Sequence, residues 1–145
     1  MNLPKTILVA TDFSETSDAA VAYAVALAER LGAKLYLINT IGVPAYGIPE
    51  LGVAVTASMI DTIVRGNQDA LDKLVKQYAP LKIETVLRTG DPRDLIVHTA
   101  VEIGAELIVM GTHGRHGVSR ALLGSVAEGV VRHAHCPVLT IRKPK

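Results

Sequence analysis

Two short runs, "KTILVAT" at 5–11 and "ELIVMGT" at 106–112, hold unbroken apolar stretches rich in β-branched residues. A strand with water on one face alternates apolar and polar residues; a strand buried on both faces does not. Both runs therefore read as strands sealed above and below by other layers. The stretches between them carry a different period. Val21, Ala24, Val25, Ala28 and Leu31 recur at helical spacing after "SETSD", and Gly32 fits the stop. Asp12 with Glu15, or Ser14 with Ser17, can supply that helix's N-terminal cap. "AKLYLINT" (33–40) reads as a second strand, and "IGVPAYGIPELG" as a loop. Ile60, Ile63, Val64, Leu71, Leu74, Val75 and Tyr78 place a long helix over roughly 53–79, with Gly66 in its middle.

"KIETVLRTG" (82–90) alternates, as a strand nearer a sheet edge does. "DPRDLIVHTAVEIGA" opens a helix with Asp91 as cap and Pro92 at its first position. Asp94, His98 and Glu102 share one face of it, opposite Ile96, Ala100 and Ile103. A short helix over Ser125–Ala134 and a fifth strand beginning at Pro137 complete the chain. Strand–helix alternation predicts an α/β fold: one doubly wound, Rossmann-like, five-stranded parallel sheet with helices on both faces. The first and fourth strands, the most continuously apolar, belong at the centre, which gives the order 3-2-1-4-5. Where that order reverses, a crevice opens at the strands' C-terminal ends. It is lined by "ATD" (Ala10, Thr11, Asp12) and by "MGTHG", which begins at Met110.

Length and composition narrow the function classes. The 145 residues, 49% of them hydrophobic, fit one domain over 1–145. No apolar run reaches the ~18 residues of a membrane span. The apolar N-terminal run meets Asp12 at once and shows no small-residue cleavage site, so no secretory signal is expected. A single cysteine, Cys136, excludes an internal disulfide and fits a reducing cytoplasm. Net charge is +1 and aromatics are 3%, against the basic excess and stacking platforms of a nucleic-acid binder.

The segment "GTHGRHGVSRALLGS" (111–125) holds four glycines, two histidines, two arginines and no acid. Glycine lets a ligand approach the main chain, and bare amides then make a concave anion site. Gly124 and Ser125 stand where the last helix begins, and its N–H groups and positive dipole end favour phosphate. Arg115 and Arg120 add positive charge. Across the crevice, the Asp12 carboxylate suits ribose hydroxyls; its structural alternative is capping the first helix. No Gly-Lys pair occurs in the chain, so this is not a Walker loop.

"ILVATDFSETS", "GDPRDLIVHTAVEIGAELIVMGTHGR" and "GTHGRHGVSRALLGSVAEGVVRHAHCPVLTIR" resemble the universal stress protein family over essentially the whole chain. The ATP-binding branch carries Gly, two residues, Gly, nine residues, then Gly-Ser or Gly-Thr. Gly111, Gly114, Gly124 and Ser125 stand at those spacings. The resemblance implies an ATP-binding stress regulator rather than an enzyme. It places Asp12 on the ribose with Gly111 nearby, and Ala10, Ile38 and Met110 around adenine. Thr11 lies in the same wall. His113, Gly114, Gly124, Ser125 and Val126 would contact phosphates, with Arg115 beside them. Magnesium or manganese would ride on the phosphate oxygens, and AMP or ADP are alternative ligands. It also implies a homodimer through the strand at 137–142 and an unidentified protein partner. A nucleotide-free interaction dimer and a slow ATPase are the competing classes. His113 with His116, and His133 with His135 and Cys136, do not supply the four converging ligands of a zinc site.

Overall fold

The computed structural model describes residues 2–42, 56–113 and 122–143. Strands and helices alternate: β1 (Thr6–Ala10), α1 (Glu15–Leu31), β2 (Lys34–Ile41), α2 (Ala57–Lys76), β3 (Ile83–Thr89), α3 (Pro92–Ile103), β4 (Leu107–Gly111), α4 (Ser125–His133) and β5 (Val138–Ile141). All pairings are parallel, in the order β3-β2-β1-β4-β5. β1 lies between β2 and β4, with Leu8 opposite Tyr36 on one side and Ile108 on the other. The predicted order and the central pair are what the molecule shows.

The period-two alternation of each strand sorts its side chains between two cores. Ile7, Val9, Leu35, Leu37 and Val109 face α1 and α2, where Ala20, Val21, Ala24, Ala28, Leu71 and Leu74 meet them. Leu8, Ile38, Ile108 and Met110 face the opposite layer, with Ile96, Ala100, Ala127 and Val130 from α3 and α4. Ile7, Leu8, Val9, Ile108 and Val109 are fully buried, which accounts for the unbroken apolar runs.

Element ends follow local chemistry. Ser14 caps α1 by accepting from the Ser17 amide, and Gly32 closes it in the left-handed region at φ 63°. Asp91 caps α3 and accepts from the Arg93 and Asp94 amides, with Pro92 in the first turn. α2 is shorter than the periodicity predicts. It starts at Ala57 behind the cap Thr56 and ends at Lys76; residues 53–55 lie outside the described residues. Gln77, Tyr78 and Ala79 donate to carbonyls three residues back, a turn instead of α-helix, just before Pro80, which has no N–H to continue the ladder. β5 begins at Val138 rather than Pro137. Pro137 has no N–H, but its carbonyl accepts from Ile108 at 3.0 Å. No described helix is long and apolar enough to cross a membrane.

Candidate nucleotide site

The C-terminal ends of β1, β2 and β4 and the N-termini of α3 and α4 enclose a cavity of about 520 Å³. Ala10, Thr11, Asp12, Ile38, Met110, Gly111, His113, Gly124, Ser125 and Val126 all line it. Gly114, Arg115, His116 and Arg120 lie outside the described residues.

One wall is the β1–α1 turn. Thr11 and Ser17 are each 5% exposed, and their hydroxyls meet at 3.2 Å. The Ser17 hydroxyl also takes the Asp12 amide at 3.3 Å, and Thr11 Oγ1 takes the Phe13 amide at 3.0 Å. Asp12 Oδ1 accepts from the Ser14 amide at 3.0 Å, while Ser14 Oγ accepts from the Ser17 amide at 3.2 Å. The capping question left open by the sequence thus resolves in favour of Ser14, with Asp12 bracing the cap residue itself. Phe13 sits at φ 64°, a region in which L side chains other than Asn and Asp are uncommon. The hydrogen bonds on either side of it hold it there. Thr11 is committed to this turn: its amide donates to the Ile38 carbonyl at 2.9 Å and its carbonyl accepts from Asn39 Nδ2 at 2.9 Å.

The opposite wall is built with almost no side chain. The Gly124 amide donates to the Thr112 carbonyl at 2.7 Å, which holds the start of α4 beside the end of β4. A Cβ on residue 124 would lie 3.1 Å from that carbonyl oxygen, so glycine permits the approach. No side chain caps α4. Ser125, Val126 and Ala127 line the cavity, and their amides bond to no described residue. They are the donors that a helix leaves unpaired in its first turn. Gly111 has a different reason to be glycine. A Cβ there would come within 2.8 Å of Thr16 Cγ2, so its bareness lets the first turn of α1 pack against the end of β4.

Charge divides in the same way. Asp12, Glu15 and Asp18 crowd the start of α1. Burial, then the nearby Asp12 and Glu15 carboxylates, raise the carboxyl of Asp18 above its ordinary value. The acid in the first turn of α4, Glu128, pairs with Arg132 at 2.8 Å. His113 Nδ1 lies 3.0 Å from Thr112 Oγ1. Among the described residues no three His, Cys, Asp or Glu side chains gather as a metal site. His133 Nδ1 sits 2.9 Å from the Gly129 carbonyl, and burial raises the Cys136 thiol.

The sequence reading missed Asn39 and Asn67. Asn39 is 3% exposed, and its parity with Leu35 and Leu37 already marks it as core-facing. Asn67 donates from Nδ2 to Asn39 Oδ1 at 2.8 Å and lines the cavity from α2.

The model of the universal stress protein family matches residues 4–142. A universal stress protein of Methanocaldococcus jannaschii is 41% identical over 148 residues, covering 99% of this chain and 85% of the relative. The structure of universal stress protein UspA from Lactobacillus plantarum superposes with a TM-score of 0.84 at 30% identity, over 97% of this chain and 100% of that one. A universal stress protein solved in complex with cAMP has a TM-score of 0.67 at 27% identity, over 99% of this chain and 100% of that one. The chain belongs to the universal stress protein family.

Proposed function

We propose that this chain is an adenine-nucleotide-binding regulator, with ATP as ligand, acting as one domain. The carrying observation is the row of amides at Ser125, Val126 and Ala127 that have no partner among the described residues, in a cavity whose facing wall holds Asp12. A helix N-terminus favours negative charge by ~0.3–1 kcal/mol, up to ~2 kcal/mol when partly buried, before the amides' own hydrogen bonds to phosphate are counted. Asp12 would take ribose hydroxyls, and Ala10, Ile38 and Met110 would face the base. His113, Gly124, Ser125 and Val126 would bound the phosphates with Gly114 and Arg115 of the adjoining loop. Magnesium or manganese would be held chiefly by phosphate oxygens, since among the described residues no metal-ligating cluster forms. The relative in complex with cAMP supports an adenine nucleotide in this fold.

Binding rather than turnover is the proposed activity. The chain has no Gly-Lys pair and so lacks the lysine that reaches the β- and γ-phosphates in a Walker loop, which leaves Arg115 as the proposed cation at the phosphates. Stabilising the charge of a transferred phosphoryl group calls for such cations. Occupancy would change the surface around the 111–125 segment, and a partner protein in the cytoplasm would read that surface. β5 pairs with β4 on one side only, and among the described strands nothing covers its outer edge. Isologous pairing of that edge across a twofold axis would make the homodimer.

Heat-denaturing the purified protein and analysing the supernatant tests the reading. AMP, ADP or ATP in near-stoichiometric yield is expected. A supernatant without nucleotide, from protein that also shows no saturable heat with millimolar magnesium–ATP, would overturn it. Light scattering on the same preparation should give twice the chain mass; a monomer would remove the dimer.

A further inference from the structure

The hydrogen bonds around Asn39 and Asn67 fix which way each side-chain amide points. The Thr11 carbonyl can only accept, so Asn39 must present Nδ2 to it, at 2.9 Å. That turns Asn39 Oδ1 outward as an acceptor, and the group meeting it at 2.8 Å must be Asn67 Nδ2. Asn67 Oδ1 is then left over, and no described residue donates to it. The placement of Asn67 is as constrained as its orientation. Leu71 and Leu74, the buried residues of α2, follow it at helical spacing, so Asn67 continues their stripe toward the strands' C-terminal ends. There the apolar stripe gives way to an amide on the cavity wall.

The sheet order gives this acceptor a neighbour. α4 begins beside the end of β4, Asp12 follows β1, and the next strand outward is β2. A ligand with phosphates at α4 and ribose at Asp12 runs across the strand ends and brings its base to β2. The Ile38 carbonyl at that end is already engaged by the Thr11 amide. Resting on the nucleotide reading above, we propose that Asn67 Oδ1 is a specificity-determining acceptor that reads the exocyclic amino group of the base, selecting a 6-aminopurine over a 6-oxopurine. Adenine presents N–H donors at that position and guanine a carbonyl. A guanine oxygen would face the Asn67 oxygen with no proton between them. Because Asn39 and the Thr11 carbonyl prevent the amide from turning over, the site cannot adapt by exposing Nδ2. A fixed acceptor of this kind rejects ligands that lack the matching donor, since its own hydrogen bond then goes unmade.

Calorimetric titration with magnesium–ATP, magnesium–GTP and the magnesium salt of purine riboside triphosphate, which lacks the 6-amino group, tests this. Wild-type protein should bind ATP about tenfold more tightly than the deamino compound, the worth of one hydrogen bond, and GTP weaker still. In Asn67→Ala the ratio of ATP to deamino affinity should fall to near one, with the deamino affinity little changed. A residue that only stiffened the fold would weaken both ligands together. Equal binding of ATP and the deamino triphosphate by wild-type protein would overturn the proposal without any variant. So would an undiminished preference in Asn67→Ala. Wild-type protein that bound none of the three would overturn the nucleotide reading as well, so the two failures are told apart.

Discussion

Two helices begin at the same cavity and treat their first turns in opposite ways. α1 is served by side chains of its own: the Ser17 amide of its first turn and the turn that leads into the helix find acceptors within the chain. Ser14 caps it, Asp12 braces Ser14, and the buried hydroxyls of Thr11 and Ser17 take the amides of Phe13 and Asp12. α4 has Gly124 at the cap position, with no side chain to accept anything, and the residues of its first turn line the cavity. The starting point is the same in both, because every α-helix leaves its first N–H groups unpaired. Sequence decides whether the chain itself or a ligand fills them. One wall of the cavity is thus bonded internally, and the other keeps first-turn donors that have no partner among the described residues.

Giving α4 the kind of cap that α1 has should break the contrast most severely. Gly124→Asp places a carboxylate where phosphate is proposed to sit, and its Cβ crowds the Thr112 carbonyl. ATP affinity should fall at least about a hundredfold, ~2.7 kcal/mol, by calorimetry. Unchanged affinity would move the phosphates elsewhere. Ser17→Ala attacks the self-sealed wall. It leaves the Thr11 hydroxyl and the Asp12 amide without their Ser17 partner in a buried turn, and should cost ~2 kcal/mol in urea denaturation. Ser14→Ala removes the cap and the hydroxyl contact to Ser17, and should cost ~1 kcal/mol, leaving α4 and its amides as they are.

α3 supplies a smaller control, since a charged side chain seals its start. The Arg93 guanidinium beside Asp91, and the Asp94 amide, hold that carboxyl below its ordinary value of 3.8. A depressed carboxyl pKa adds stability above the unfolded value and loses it as pH falls through the folded one. Melting temperature should therefore drop as pH falls below about 3.8, the ordinary value for this group. Asp91→Asn keeps the cap acceptor and should flatten that acid limb slightly. An acid limb identical in the two proteins would show that Asp91 does not contribute to it.

The fold was legible because its signals are local. Unbroken apolar runs mark β1 and β4, and Gly32, Asp91 and Pro92 punctuate the helices at the expected places. The cavity lining was legible where backbone chemistry announces itself, as at Gly124 and Ser125. It was less so where one residue type serves two ends. Gly111 reads like Gly124 in the sequence, yet its bareness accommodates Thr16 of α1. Thr11 reads as a wall residue, and its hydroxyl, amide and carbonyl are spent on the turn. Asn39 was within reach, since a polar residue in phase with Leu35 and Leu37 calls for a buried partner. Asn67 was not. Its role depends on which stripe of α2 meets the sheet and at what height, and only the packing of Leu71 and Leu74 sets that.

Amide chemical shifts at Ser125, Val126 and Ala127 test the proposed phosphate-binding wall most directly, read by nuclear magnetic resonance during titration with magnesium–ATP and, separately, with adenosine. Saturable shifts at these amides with ATP, and little change there with adenosine, are predicted. Amides that stay in place while ATP saturates the protein would contradict it.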